Sequence, residues 1–183
     1  MTKAEIRTQI AGQKKALGFQ GLAALGGKVV QKLQTLDAFR SARAVGAYMP
    51  LPDEVDITPI FQTPGKKIYV PAYDEAVGLY RLARLTSELN KGRFGIPEPA
   101  VPVFAAEDEL DLIIVPGTAF DLAGRRIGRG GGFYDRLLPQ YCAVRAGVCF
   151  GFQHLQSIPA EEHDIRMDVV VTDTKIFNVC DEH

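Results

Sequence analysis

Apolar residues recur at helical spacing through the first part of the chain, which predicts two helices that each bury one face. Thr2 and Glu5 form a capping-box pattern, so the first helix is predicted to begin at Lys3. The pair Gly26-Gly27 weakens the second helix without excluding it. The apolar positions of the two helices are Ile6, Ile10 and Leu17, followed by Leu22, Leu25, Val29, Leu33 and Leu36.

The pattern then changes to short uninterrupted apolar runs, which are typical of strands covered on both faces of a sheet. Pro71 is predicted to end the second strand. Short helices fit at 56–62 and 132–141, and the proline-rich stretch 96–102 is interpreted as a stiff connector. This alternation predicts an α/β protein with three α/β/α layers and a largely parallel central sheet. The predicted strands span residues 44–48, 67–70, 78–83, 110–115, 146–150 and 169–172.

Composition narrows the class of protein. A chain of 183 residues with 46% hydrophobic and 23% charged residues is expected to form one globular domain over 1–183. The net charge of −1 gives no basic field for nucleic acid or a membrane surface, and the most apolar run, 112–115, is too short to span a bilayer. We also expect a monomer. The cysteines (Cys142, Cys149 and Cys180) show no Cys-x-x-Cys pattern and the N-terminus shows no secretory signal, so reduced thiols and a cytoplasmic location are expected.

The segment from Gly124 to Gly132 is the most informative, because its nine residues include five glycines and three arginines. Glycine lets several backbone N–H groups point into one concavity, and arginine adds a charged fork that suits phosphate. Phe133 to Arg136 follow directly and are predicted to begin a helix, whose first N–H groups also favour an anion. The segment is interpreted as a polyphosphate cradle for a nucleotide, and the alternative is a flexible surface loop.

Several other sites are not indicated by this sequence. The glycine-rich segment does not match Gly-x-x-x-x-Gly-Lys-Ser/Thr, and residues 150–154 supply no acid for a dinucleotide fingerprint. None of the serines lies in Gly-x-Ser-x-Gly, and the histidines do not have the spacing of metal ligands.

Charged residues elsewhere have both structural and functional interpretations. Lys3 and Arg7 are neighbours on one helix face, either as a solvated pair or as a phosphate contact. Asp56 is expected to cap the next helix, whereas a carboxylate of Asp53 or Glu54 at a strand end is suited to a substrate amine or amide.

Aspartates near the cradle and near the last strand are candidate metal ligands. Asp135 either favours the dipole of the helix that follows the cradle or holds Mg²⁺ against phosphates. Asp164, Asp168 and Asp173 recur near the last strand, and one of them is a candidate for a second magnesium ligand.

Two motifs together resemble the signature of the 5-formyltetrahydrofolate cyclo-ligase family, which is also called 5,10-methenyltetrahydrofolate synthetase. They are Val115-Pro-Gly-Thr-Ala-Phe-Asp121 and Gly124-Arg-Arg-Ile-Gly-Arg-Gly-Gly-Gly-Phe-Tyr-Asp-Arg136. The resemblance extends from about Lys3 to Thr174. Supporting pieces in family order are residues 3–7, 53–56, 94–99 and 163–164, followed by Asp168.

The resemblance implies an ATP- and Mg²⁺-dependent conversion of 5-formyltetrahydrofolate to 5,10-methenyltetrahydrofolate, with release of ADP and phosphate. It also implies the fold of sugar-phosphate isomerases and CoA transferases. By the same resemblance Arg126 and Glu54 are catalytic, and Asp135 and Asp168 bind the metal. The implied folate contacts are Met49, Glu54, Phe94 and Tyr134. The implied ATP contacts are Lys3, Arg7, Arg126, Ile127, Gly128, Arg129, Gly130, Gly131, Gly132, Phe133 and Tyr134.

The sequence departs from many members of the family at two positions. Phe133 stands where many members have tyrosine. Gly131 stands where some members have lysine, so the positive charge of that lysine must be supplied by another residue, such as Arg126, Arg129 or Lys3. Two other functions stay open at this point. One is a sugar-phosphate isomerase or CoA transferase, which would bind phosphate without hydrolysing ATP. The other is a non-catalytic protein that binds folate or nucleotide and regulates a partner.

Overall fold

The structure, a computed structural model, describes residues 1–159, 161 and 164–179. His163 and the C-terminal residues Cys180 to His183 lie outside the described residues. The helices are α1 (Lys3–Thr35), α2 (Asp37–Ser41) and α3 (Phe133–Leu137), with 3-10 turns at Thr58–Gln62, Leu138–Gln140 and Gly151–Gln153. The strands are β1 (Ala44–Gly46), β2 (Lys67–Asp74), β3 (Leu79–Arg84), β4 (Leu89–Lys91), β5 (Pro97–Pro99), β6 (Leu112–Pro116), β7 (Ala119–Asp121), β8 (Arg126–Ile127), β9 (Val144–Val148), β10 (His154–Leu155), β11 (Val169–Val171) and β12 (Ile176–Asn178).

Helix α1 begins with the predicted capping box. The Thr2 hydroxyl accepts a hydrogen bond from the Glu5 amide, and the Glu5 carboxylate accepts one from the Thr2 amide. The two predicted helices run on from each other and meet at Gly18, whose φ of 65° requires a residue without a Cβ. The prediction that Leu17 belongs to the buried stripe is wrong, because Leu17 lies just before this kink and is 41% exposed.

A seven-stranded sheet forms the centre of the molecule, in the order β12-β11-β9-β6-β1-β2-β3. The five inner strands are parallel, and β12 and β3 add antiparallel edges. The α/β class with a largely parallel sheet is therefore confirmed. Among the described residues no helix is both long enough and apolar enough to cross a membrane.

Two details of the predicted sheet are wrong. Pro71 does not end its strand, since β2 continues to Asp74. Proline is tolerated there because β1 forms hydrogen bonds only along Lys67 to Tyr69, so the missing N–H of Pro71 costs no bond to β1. The proline-rich stretch is not only a connector, since β5 within it pairs with β4 as a small antiparallel ribbon.

Helices cover both faces of the sheet. On one face Val29 and Leu33 of α1 pack with Val45 and Ile114, and on the other Leu137 of α3 packs with the strand residues that point the opposite way. Such strands bury both faces, which accounts for their continuous apolar sequences.

The strand order reverses between β1 and β6. From β1 the chain goes to β2 on one side, whereas β6, β9 and β11 build outward on the other. Open α/β sheets bind ligands in the crevice outside the carboxyl ends of the strands at such a switch point. The chain continues from β1 into Tyr48 and Met49 and from β6 into Gly117, so these residues mark the expected crevice.

Candidate active site

A cavity of about 540 Å³ opens where β1 and β6 end. Its wall contains Tyr48, Met49, Pro116 and Gly117, which leave the carboxyl ends of these two strands. Almost all the residues singled out from the sequence line this one cavity: Lys3, Arg7, Met49, Glu54, Phe94, Arg126, Ile127, Gly128, Arg129, Gly130, Gly131, Gly132, Phe133, Tyr134 and Asp135.

The glycine- and arginine-rich segment is held by a hairpin that comes after β6 in the chain. Strand β7 pairs antiparallel with β8, and buried Asp121 accepts hydrogen bonds from the amides of Ala123 and Arg125 at 3.0 Å each. Gly124 has a φ of 72°, and a Cβ there would lie 2.4 Å from the Met167 carbonyl oxygen. The hairpin therefore presents Arg126 and the residues after it to the cavity in a fixed position.

Arg126 is the most buried of the predicted phosphate-binding cations, at 7% exposure. Its Nη2 donates to Asp135 Oδ1 at 3.0 Å, and the guanidinium lies 5.3 Å from the centre of the Tyr134 ring. The Arg126 Nε is buried and has no hydrogen-bond partner among the described residues. A buried guanidinium with an unused donor is suited to an incoming anion.

The glycines give this guanidinium its room. A Cβ on Gly128 would lie 2.6 Å from Arg126 Nη1, so a larger residue would displace the side chain. Gly130 has a φ of 100° and lies against the Arg7 guanidinium. No atom lies within 4 Å of the position that a Cβ would take on Gly131. A lysine side chain, as some relatives have here, would therefore fit, and glycine leaves that part of the cavity wall open.

The first turns of α1 reach the same cavity. Arg7 Nε donates to the Gly128 carbonyl at 2.8 Å, which joins the helix to the glycine-rich segment. Lys3 Nζ lies 3.0 Å from both Glu161 Oε1 and Asp164 Oδ2. Burial lowers the pKa of Lys3, but its hydrogen bonds with these two carboxylates outweigh burial and raise it above the ordinary value. Lys3 therefore stays charged at neutral pH.

Glu54 lies across the cavity in the turn after β1. Its Oε2 accepts from the Leu51 amide at 3.0 Å and its Oε1 accepts from Arg129 Nε at 3.2 Å.

Lys14, which was not predicted, also lines the cavity and pairs with Asp53 at 3.1 Å. The sequence did indicate that Lys14 faces inward, because Ile6, Ile10 and Lys14 follow one another at the four-residue spacing of one helix face.

An aromatic wall closes another side of the cavity. Phe94 is 68% exposed and stacks on Tyr80 with ring centres 5.6 Å apart, and Phe133 lies 5.0 Å from the same ring. Burial and the Glu98 carboxylate raise the pKa of Tyr80 to about 12, so its hydroxyl stays protonated and donates to Glu98 at 3.2 Å. Neither Tyr80 nor Glu98 was predicted, since they meet only because β3 pairs with β2 and β5 also lies against β2.

Of the two predicted metal ligands, only Asp135 is at the cavity. Asp168 immediately precedes β11, and its Oδ2 accepts from the Arg145 amide at the start of β9. It therefore lies at the amino ends of the parallel strands, opposite the cavity, which corrects its predicted placement. Of the three aspartates that the sequence offered near the last strand, Asp164 is the one that lines the cavity. Within the described part of the chain no three metal-binding side chains form a cluster.

A charged, glycine-lined cavity at the switch point of a parallel sheet is the arrangement of an α/β enzyme that binds a phosphorylated ligand. The family model for 5-formyltetrahydrofolate cyclo-ligases matches residues 1–173. The chain belongs to the 5-formyltetrahydrofolate cyclo-ligase family, and the prediction that it is a ligase of this kind is confirmed.

Individual relatives agree with this assignment. The chain is 30% identical to the 5-formyltetrahydrofolate cyclo-ligase of Escherichia coli K12, over 92% of this chain and 98% of that protein. The solution structure of 5,10-methenyltetrahydrofolate synthetase from Aquifex aeolicus matches 100% of this chain and 95% of that chain, with 33% identity and a TM-score of 0.88. A Mycoplasma pneumoniae synthetase, at 20% identity and a TM-score of 0.69 over 98% of this chain and all of that one, shares the fold.

Proposed function

We propose that this protein converts 5-formyltetrahydrofolate to 5,10-methenyltetrahydrofolate with consumption of ATP and release of ADP and phosphate. The observation that carries the proposal is the meeting of Arg126, the glycine-rich segment and Glu54 in one cavity of a cyclo-ligase fold. We further propose that residues 1–183 act as one cytoplasmic, monomeric domain, whose fold resembles that of sugar-phosphate isomerases and CoA transferases.

The triphosphate of ATP binds along residues 126–134 in this proposal. Buried Arg126 and the backbone N–H groups of the glycines supply fixed positive charge, and Lys3 and Arg7 approach from α1. Mg²⁺ fits the cavity because Asp135 and Asp164 both line it and provide the hard oxygen ligands that this ion prefers. When bound, the ion neutralises phosphate charge.

The folate binds between the aromatic wall and Glu54. Phe94 and Tyr80 offer flat apolar surfaces for a fused ring, Met49 and Tyr134 add apolar contacts, and the Glu54 carboxylate accepts hydrogen bonds from ring N–H groups. Phe133 lacks the hydroxyl of the tyrosine that many relatives have, so its part in binding is apolar packing against Tyr80.

Transfer of the γ-phosphoryl group to the formyl oxygen of the folate makes the formyl carbon a strong electrophile. The N10 atom of the same folate attacks that carbon and closes the ring. The C–O bond to phosphate then breaks, hydrogen phosphate leaves with the proton lost from N10, and the methenyl bridge forms. Such a reaction requires positioning and charge stabilisation rather than a protein nucleophile. Arg126 stabilises the transferring group, and Glu54 holds the folate so that N10 lies close to the formyl carbon.

The direct test is to mix the protein with 5-formyltetrahydrofolate, ATP and Mg²⁺ and to record methenyl absorbance and phosphate release together. One phosphate per methenyl product is expected, with neither signal when ATP or the folate is omitted. An isomerase or transferase would release no phosphate, and a regulatory binding protein would bind both ligands without turnover.

Replacement of Asp164 with asparagine tests the proposed metal site. We expect Asp164→Asn to raise the Mg²⁺ concentration for half-maximal activity by about tenfold or more, since loss of even an indirect metal contact commonly has that effect. Asp168→Asn is the matched control, and its Mg²⁺ titration is expected to overlay that of the wild type. An unchanged titration for Asp164→Asn, or an equal shift in both variants, would contradict the assignment.

A further inference from the structure

Four charged side chains, three of which line the cavity, form a continuous chain of ion pairs, which we call the Arg129 bridge. Lys14 Nζ pairs with Asp53 Oδ2 at 3.1 Å, and Asp53 Oδ1 accepts from Arg129 Nη2 at 2.6 Å. Arg129 Nε then donates to Glu54 Oε1 at 3.2 Å. The bridge ties the glycine-rich segment to the turn that follows β1.

The two halves of the Arg129 bridge are unequal. The Asp53 half is shorter, and Lys14, which is 8% exposed, anchors Asp53 from behind. Burial raises the pKa of Asp53, but hydrogen bonds from Arg129 and Lys14 outweigh burial and hold this pKa below its usual value. The Glu54 half is longer and rests on a single contact. Arg129 can therefore leave Glu54 while it stays attached to Asp53.

Arg129 and Glu54, the two residues of the weaker contact, are each proposed to bind a substrate as well. Arg129 belongs to the segment that receives the triphosphate, and Glu54 is the carboxylate that receives the folate. A carboxylate that already accepts from a guanidinium has one fewer oxygen position for a ring N–H group. A triphosphate near residues 128–130 would compete for the same guanidinium with more negative charge than Glu54 carries.

We propose that Arg129 is a positioning residue that couples the two substrates: it occupies Glu54 in the empty enzyme and gives it up when a triphosphate binds. The proposal rests on the proposed function, which places the triphosphate at 126–134 and the folate at Glu54. Whichever substrate binds first breaks the Arg129–Glu54 contact, and the second then binds without that cost. Each substrate therefore tightens binding of the other by the same factor.

The contact is half-exposed on the arginine side, where Arg129 is 52% exposed, so its contribution is that of a surface ion pair. That contribution corresponds to an increase in affinity of about two- to fivefold. A change in affinity of this size leaves ligand binding intact when the contact is lost, and calorimetry can resolve it.

Arg129→Met is the informative variant, because methionine keeps most of the length of the side chain and removes its donors. We expect it to bind 5-formyltetrahydrofolate alone about two- to fivefold more tightly than the wild type, since Glu54 is released. In the wild type, the non-hydrolysable analogue β,γ-imido-ATP with Mg²⁺ should increase the affinity for the folate, and in Arg129→Met this increase should be smaller by a similar factor. A purely structural role for Arg129 predicts weaker folate binding, and a purely phosphate-binding role predicts no change in it.

Two controls complete the calorimetric experiment. Arg40→Met removes the same charge from an exposed pair with Asp37, neither of which lines the cavity, and should change neither affinity. In a Glu54→Gln background the gain from Arg129→Met should vanish, which isolates the pairwise contact. Unchanged or weakened folate binding in Arg129→Met would overturn the coupling. Failure of the wild type to bind 5-formyltetrahydrofolate at all would overturn the proposed function together with it.

Discussion

Arg126→Ala is expected to lower turnover by about 100-fold or more, the usual effect of removing one fixed donor that stabilises a transition state. Arg126 is buried, its Nε has no hydrogen-bond partner among the described residues, and the glycine at 128 leaves its guanidinium room. We expect the loss mainly in kcat, with a smaller change in KM for the folate, because the charge acts on the transferring phosphoryl group.

Its sequence neighbour Arg125 provides the matched control for this measurement. Arg125 pairs with Asp121 at 3.6 Å and does not line the cavity, so Arg125→Ala should retain turnover close to that of the wild type. The assay is initial-rate methenyl formation with both variants checked for folding by circular dichroism. Near-normal turnover in a folded Arg126→Ala would remove Arg126 from the proposed chemistry.

Phe120→Ala is expected to lower the free energy of unfolding by about 3–5 kcal/mol, the range for removing a large buried aromatic side chain. Phe120 is completely buried in β7, and its ring fills the spaces that the missing side chains of Gly117 and Gly147 leave. Gly117 lines the cavity, so this ring supports the floor of the site as well as the core.

Denaturant unfolding measures this effect directly, and Phe19→Ala is its control. Phe19 is 78% exposed, so its removal should change the free energy of unfolding by no more than about 0.5 kcal/mol. Equal destabilisation by the two substitutions would contradict the packing around Phe120.

The charges of the cavity are arranged in pairs before any substrate binds. Arg126 pairs with Asp135, Lys3 with Asp164, and Arg129 with Glu54. Opposite charges in pairs reduce the cost of holding several arginines and lysines close together in a protein of near-neutral net charge. A substrate with several negative charges must exchange partners with these pairs, so binding of the triphosphate is expected to rearrange side chains without unfolding the segment.

Features encoded by residues close together in the sequence were the easiest to identify. The capping box at Thr2 needs only four residues and is confirmed. The glycine- and arginine-rich segment was singled out by its own composition and lines the cavity, and its role as a phosphate cradle stays a prediction. The two predicted helices correspond to the two parts of α1, but several glycines interrupt this region and the sequence alone does not show which of them adopts the positive φ that separates the two parts. Gly18 does, and Gly26 packs within the helix.

Features that depend on strand register or on the direction of a strand were missed. Tyr80 meets Glu98 only because β3 and β5 both lie beside β2, and nothing local signals that contact. Asp164 and Asp168 are close in sequence, but the chain passes from the cavity to the amino end of β11 between them. The strand predicted at 169–172 begins at the same residue as β11, so the sequence already placed Asp168 at the amino end of a strand. Asp168 was named a metal ligand from the family resemblance and not from this position.

A crystal structure with 5-formyltetrahydrofolate, β,γ-imido-ATP and Mg²⁺ tests the central claim most directly. We expect the three phosphates to contact Arg126 and the amides of residues 128–132, with the pteridine ring against Phe94 and its N–H groups on Glu54. A triphosphate bound elsewhere, with residues 126–134 facing solvent and Glu54 still paired with Arg129, would contradict the account.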